Sequence, residues 1–183
     1  MTKILILNGP PRCGKDIAAE AVQNYFTVDY CAHMKFSQPL KTIACGIFGK
    51  SQQTLEWTSK DTPVKGYSVS FREAQIHTYT ALAQIFGADW LGKSLIHRLE
   101  NIEQEYIVLS DGGRAADILP LLKKFSVDDI MIVQIMREGC TFAGDIRSYI
   151  SAGMNVRVRP IINNKIDVFT EEIIDFAGEF FAK

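Results

Sequence analysis

Residues 4–16, Ile-Leu-Ile-Leu-Asn-Gly-Pro-Pro-Arg-Cys-Gly-Lys-Asp, constrain the fold more than any other part of this chain. An unbroken apolar run is what a strand buried on both faces of a parallel sheet needs. Gly9 then lets the chain leave the strand and turn sharply. Gly14 removes the Cβ that would block a close approach of backbone to a phosphate. Gly9 and Gly14-Lys15 fall at the spacing G-x-x-x-x-G-K. In that spacing the loop amides and the positive end of the following helix converge on one anion. The loop and the first turn after it are read as the nucleotide-binding stretch: Gly9, Pro10, Pro11, Arg12, Cys13, Gly14, Lys15, Asp16 and Ile17. Lys15 brings a full positive charge to the outer phosphates. Asp16 stands where such loops usually carry a hydroxyl residue. A carboxylate there suits Mg²⁺, which prefers oxygen ligands. Without the ion Asp16 would repel phosphates, so nucleotide binding is expected to depend on Mg²⁺.

Composition sets the outer bounds. A chain of 183 residues, 47% hydrophobic, is long enough for one domain with a real core. The net charge of −1 gives no global attraction to nucleic acid or membrane. Cys13, Cys31, Cys45 and Cys140 show no C-x-x-C pair and no histidine at zinc spacing, and are read as reduced thiols of a cytoplasmic protein. Cys13, inside the loop, is expected to be exposed and modifiable. No apolar run approaches membrane-spanning length, and no charged segment with a signal-like apolar run opens the chain. A homodimer is among the expected assemblies.

Hydrophobic periodicity orders the rest. After a strand over Lys3–Asn8 and a helix over Lys15–Phe26, a strand is expected over 27–34. Ser37 is read as the cap of a helix with Pro39 in its first turn, continuing over 40–48 to a stop at Gly49. The polar, turn-rich stretch 51–70 is expected to be a mobile flap. Helices are expected over Phe71–Phe86, 90–103 and 115–125, and strands over 106–110, Ile130–Met136 and 155–162. A lid with a short helix is expected within 138–153, and a closing helix over 170–181. Strands alternating with helices predict an α/β fold, a mainly parallel five-stranded sheet flanked by helices, and ligands at the carboxyl ends of the strands.

Those strand ends carry the remaining candidates. Asp111 ends an apolar strand, as a carboxylate for Mg²⁺ or for orienting the acceptor does beside a phosphate loop. Arg114, just past Gly112-Gly113, suits an anionic acceptor through its two-pronged guanidinium. Arg137 ends a late strand and Arg147 follows it. Arginines placed there suit a lid that stabilises charge on a moving phosphoryl group and excludes water. Arg72, opening a helix after the flap, is a candidate ligand for an acceptor phosphate, and Asp61 within the flap a candidate acceptor base. Lys35 and Lys41 flank the end of the second strand, with Lys35 taken as a substrate contact. His33, His77 and His97 have no mutual spacing and no adjacent nucleophile, and are read as ordinary surface or core histidines.

Taken together, these pieces resemble the phage deoxynucleoside monophosphate kinases, a branch of the P-loop nucleotide kinases. The carriers are Gly9-Pro-Pro-Arg-Cys-Gly-Lys-Asp16, Phe36-Ser-Gln-Pro-Leu-Lys41, Phe86-Gly-Ala-Asp-Trp90, Ser110-Asp111 followed by Arg114, and Arg137 with a lid after it. The resemblance implies a P-loop kinase fold and phosphorylation of a nucleotide by ATP with Mg²⁺. Where that family shows D-V-R-F-x-N-E, this chain has Asp111-Gly-Gly-Arg-Ala-Ala-Asp117, with the arginine shifted and no Asn-Glu. The segment from Arg137 to Tyr149 also resembles phage kinases that phosphorylate 5-hydroxymethyluracil in DNA. Three acceptors are therefore weighed: a free deoxynucleoside monophosphate first, the hydroxymethyl group in DNA second, and a small metabolite third. In a rival class, a non-kinase ATPase or switch, a glutamate or glutamine would position water, and none stands beside Asp111.

Overall fold

The computed structural model describes residues 2–150 and 154–182. They form two compact units, one of residues up to Phe36 and from Gly92 onward, the other of Ser37–Leu91. Among them no helix is long and apolar enough to cross a membrane.

The first unit is built on a sheet whose four strand pairings are all parallel. Its strands are β1 (Lys3–Asn8), β2 (Cys31–Met34), β3 (Tyr106–Gly112), β4 (Ile130–Met136) and β5 (Arg157–Ile162), in the order β2-β3-β1-β4-β5. Alternation along the strands decides which core each side chain joins. Leu5 and Leu7 of β1, with Val108 of β3 and Met131, Val133 and Ile135 of β4, pack against α1 (Lys15–Phe26) and α7 (Ile166–Phe181). Ile4 and Ile6, with Ile107, Leu109, Ile130 and Ile132, face Leu95 of α5 (Trp90–Leu99) and Ile118 and Leu121 of α6 (Ala115–Lys124). Each such leucine or isoleucine stabilises the fold by about 1.5–3 kcal/mol through burial alone. This is the expected α/β architecture, with β1 buried on both faces.

Parallel strands end on the same edge. Asn8, Met34, Gly112, Met136 and Ile162 close β1 to β5 there, and the strand order reverses around β1, the position where ligands gather in such sheets.

The second unit contains α2 (Gln38–Phe48), α3 (Gln52–Thr58) and α4 (Phe71–Phe86), and a small core of Ala44, Phe48, Leu55, Val64, Phe71 and Ala74. The stretch 51–70, read as a flap, carries regular structure in its first half. Ser51 accepts a hydrogen bond from the N–H of Thr54 and caps α3, while Leu55 buries itself in that core. Ser70 and Glu73 form a reciprocal capping box that opens α4.

Several boundaries differ from the expected ones. The second strand begins only at Cys31, because Thr27 ends α1 with φ 63°, a left-handed conformation costly for a β-branched residue. The closing helix starts four residues early, at Ile166. The short helix expected within 139–153 is absent from its described part, residues 139–150. Gly139 and Gly144 both sit at φ 74°, which breaks a right-handed helix. Residues 151–153 of that expected lid lie outside the described residues.

Candidate active site

The loop after β1 shows why its glycines are there. A Cβ on Gly9 would lie 2.6 Å from both the Ile135 carbonyl oxygen and Cys13 Sγ. Gly14 has φ 105°, and a Cβ on it would lie 2.6 Å from Asn163 Nδ2. Arg12 is also left-handed, at φ 66°. Left-handed residues interleaved with right-handed ones turn successive N–H groups toward one concave side. Gly14 caps α1 without a side-chain hydrogen bond, so no side chain fills the anion position at the helix start. Asn163, after β5, donates from Nδ2 to the Cys13 carbonyl at 2.9 Å and braces the loop from beneath.

Lys15 is buried, and Nζ donates to the carbonyls of Gly9 at 2.8 Å and Pro10 at 2.6 Å, with Cys13 Sγ at 3.6 Å. Burial foremost lowers its pKa, and the charge of Arg147 acts the same way, against Cys13 and Asp16. An ammonium held among carbonyls under these conditions gains strongly from a nearby anion. Cys13 is fully buried, contrary to the exposed thiol expected from its loop position, and burial outweighs Lys15 in pushing its pKa up. The side chain points beneath the loop, toward Gly9.

Asp16 lies in the first turn of α1. Its Oδ1 accepts from Ser110 Oγ at 2.7 Å and pairs with Lys35 Nζ at 2.7 Å. Burial alone would raise its pKa, but these two bonds and the Lys35 charge outweigh it and hold the carboxyl below its ordinary value. Ser110 Oγ also lies 2.8 Å from His33 Nε2. The single hydroxyl proton goes to the carboxylate, so His33 must donate, which places its proton on Nε2. Burial foremost, then Lys35, lowers the pKa of His33, opposed by Asp16, Glu20 and Asp111. Asp111 Oδ1 accepts from the N–H of Phe36 at 2.8 Å.

The segment after β4 joins the same edge. Arg147 grips Asp145 with two guanidinium nitrogens, Nε to Oδ1 at 2.9 Å and Nη2 to Oδ2 at 2.5 Å. Those bonds foremost raise its pKa. Its stem occupies the space a Cβ on Gly113 would need, and the N–H of Ser148 donates to the Gly113 carbonyl at 3.0 Å. Asn8 ties this segment down: Nδ2 donates to the carbonyls of Gly112 and Ser148, and Oδ1 accepts from the N–H of Ile150. Arg137 is exposed and reaches the Arg12 carbonyl at 3.3 Å.

The structure therefore gathers Lys15, Asp16, Lys35, Asp111, Arg137 and Arg147 at one sheet edge. Arg114 is in the same unit but holds the buried carboxylate of Asp117, Nε to Oδ2 at 2.8 Å. Arg72 belongs to the other unit, in a half-exposed pair with Asp61 at 2.6 Å. Lys41, in that unit too, pairs with Glu56 at 2.6 Å. His77 and His97 are exposed. Sequence reasoning read His33 as an ordinary histidine and passed over Asn8, Asn163 and Arg98. Asn8 had a usable signal, an amide closing an otherwise apolar strand directly before Gly9. His33, Asn163 and Arg98 act through contacts distant in sequence and had none.

Among the described residues no group of three or more His, Cys, Asp or Glu forms a self-sufficient metal cage. Asp16 and Asp111 supply oxygen only, which fits an ion that keeps several waters and is shared with nucleotide phosphates.

No family model matches this chain, and no curated protein matches it. Among solved structures it is similar to a sugar kinase from Janibacter sp. HTCC2649, at 9% identity and a TM-score of 0.48, over 100% of this chain and 95% of that one. It is similar to a dephospho-CoA kinase from Campylobacter jejuni at 12% identity and a TM-score of 0.48, over 100% and 98% of the two chains. A thymidylate kinase from Candida albicans matches at 11% identity and a TM-score of 0.48, over 98% and 93%. Likenesses of this size carry no argument about acceptor or activity.

Proposed function

We propose that this chain is a P-loop kinase that transfers the γ-phosphoryl group of ATP to a deoxynucleotide, foremost a free deoxynucleoside monophosphate. The observation that carries this reading is Lys15. It is a buried ammonium in the first turn of α1 whose hydrogen-bond partners are two carbonyls and a sulfur. A charge-assisted bond to a phosphate is roughly twice as strong as a neutral one. Lys15 therefore favours exchanging the Gly9 and Pro10 carbonyls for the outer phosphates of ATP.

The other roles follow from placement. The loop amides and the start of α1 hold the β- and γ-phosphates. Asp16 and Asp111 would hold Mg²⁺, which when bound neutralises phosphate charge. Arg137 and Arg147 act on the transferring group, Arg147 by exchanging the carboxylate of Asp145 for phosphoryl oxygens. Lys35 is the acceptor contact on this edge; Arg114 would have to leave the buried carboxylate of Asp117 to join it. An oxygen of the acceptor phosphate forms its bond to the γ-phosphorus as the bond to ADP breaks. Such chemistry is mostly positioning and charge neutralisation. A phosphate monoester carries about −1.5 to −2 charge at pH 7 and needs no base. A hydroxymethyl group would have to lose a proton, and the carboxylates of Asp16 and Asp111 would be taken up by Mg²⁺. This favours the monophosphate over modified DNA.

The test is ADP release from Mg²⁺-ATP with acceptors added singly: each deoxynucleoside monophosphate, hydroxymethyl-dUMP, and DNA containing 5-hydroxymethyluracil. Lys15→Ala controls for contaminating kinases. Stimulation by a monophosphate is expected. Stimulation by modified DNA alone replaces the acceptor with DNA, and ADP release indifferent to every acceptor leaves an ATPase.

A further inference from the structure

One peptide group lies between two charged side chains at the sheet edge. The carbonyl of Lys35 accepts from Arg98 Nη2 at 2.9 Å. The N–H of the next residue, Phe36, donates to Asp111 Oδ1 at 2.8 Å. Carbonyl and N–H belong to the same planar unit, so neither can turn away without the other. The cation meets the negative end of the peptide dipole and the carboxylate meets the positive end. Bonds aligned in this way polarise and strengthen one another.

The surroundings hold this peptide in place. Phe36 is 2% exposed and shares a core with Leu95, one turn before Arg98 on α5. The Lys35 side chain runs to Asp16 Oδ1. Residues 35 and 36 thus touch both carboxylates assigned to the ion. Arg98 itself is an unusual choice for closing a strand end. Its Nε is buried without a hydrogen-bond partner. Burial foremost opposes its charge, and the charge of Asp111 favours it. A neutral donor would bind the Lys35 carbonyl at lower desolvation cost, so the positive charge has its counterpart in Asp111.

We propose that Arg98 is the positioning residue for Asp111: through the Lys35–Phe36 peptide it sets the orientation of that carboxylate. The proposal deepens the kinase reading and rests on it. Arg98 acts through the Lys35 carbonyl; the group it fixes is the one that would meet the ion. Partners of this kind behind metal ligands typically change metal affinity by about 10- to 100-fold when removed.

The test uses the full chain with Arg98→Met, Arg98→Lys and, as reference, Asp111→Asn. One readout is the ¹⁵N–¹H resonance of the Phe36 amide without nucleotide. The other is ATP affinity by calorimetry, in EDTA and in Mg²⁺. In Arg98→Met the Phe36 amide is expected to move as it does in Asp111→Asn. The gain in ATP affinity from Mg²⁺ should fall about 10- to 100-fold, with affinity in EDTA unchanged. Arg98→Lys should restore part of both, since it keeps the charge but loses the guanidinium shape that places Nη2 on the Lys35 carbonyl. If Arg98→Met does not fold, Arg98→Lys decides on the same two readouts. A Phe36 amide that stays in place, or an undiminished gain from Mg²⁺, overturns the proposal. A wild-type protein that binds no Mg²⁺-ATP overturns the kinase reading itself, and is seen before any variant is made.

Discussion

Gly14→Ala tests the brace beneath the phosphate loop with a single methyl group. Two costs add. Forcing an L-residue into a left-handed conformation costs roughly 1–2 kcal/mol, and Gly14 sits at φ 105°. The new Cβ would also lie 2.6 Å from Asn163 Nδ2, which must then move off the Cys13 carbonyl. One such hydrogen bond contributes about 1 kcal/mol. The expected destabilisation is about 2–3 kcal/mol. Asn163→Ala alone loses the bond but creates no clash. In that background Gly14→Ala keeps only its conformational cost, so the pair should fall about 1 kcal/mol short of additivity. The assay is urea unfolding followed by far-UV circular dichroism. Tryptophan fluorescence would report on the wrong unit, because Trp57 and Trp90 both lie within Ser37–Leu91. Independent sites add within about 0.3–0.5 kcal/mol. Additivity within that range would refute the idea that Asn163 and Gly14 brace one another.

Three further outcomes are expected. Lys15→Met removes a desolvated charge and two hydrogen bonds together, so its thermal midpoint should stay near that of the wild type. It should lose the stabilisation by Mg²⁺-ATP, about 2.7 kcal/mol at 100 times Kd, in a thermal shift experiment. Acid lability should trace partly to His33. Its pKa is lowered in the fold, so the unfolded chain binds more protons. That contribution is complete above its ordinary value of about 6.5 and is lost as pH falls through the folded value. His33→Gln should therefore flatten the fall in thermal midpoint between about pH 7 and pH 5. Finally, iodoacetamide followed by peptide mass spectrometry should label Cys45 and Cys140, which are part-buried, before Cys13 and Cys31, which are fully buried. Early labelling of Cys13 would mean that the loop opens readily.

The sheet was legible because its signals are local. An apolar run, a glycine, then a helical pattern leave few alternatives, and the strand over Lys3–Asn8 and helix over Lys15–Phe26 need no distant partner to be read. Element ends were less legible. Nothing in the alphabet marks Thr27 as left-handed, and the helix expected within 139–153 is stopped by Gly139 and Gly144, whose φ of 74° no letter announces. The interior position of Cys13 was hidden as well. A loop residue between Arg12 and Gly14 reads as exposed, yet the turn that brings the backbone outward sends this side chain beneath it.

The candidate site divides along the same line. Lys15, Asp16 and Asp111 stand out because they are ionisable groups at strand and helix ends, where a doubly wound sheet gathers its ligands. What holds them does not stand out. Asp16 is held by Ser110 and Lys35, Ser110 by His33, Asp111 by the N–H of Phe36, and the loop by Asn163. Each partner lies at least 19 residues away in sequence from the group it holds, the Asp16–Lys35 pair being the nearest. Two of these links end on backbone groups that every residue possesses. A peptide N–H or carbonyl carries no letter of its own, so pattern reading finds the charged side chains and misses the amides that aim them. Arg98 is the sharpest case. It lies in the last turn of an amphipathic helix, where basic residues are common for reasons of the helix dipole alone. Only the Lys35 carbonyl at one end of a peptide and Asp111 at the other distinguish it from a solvated arginine.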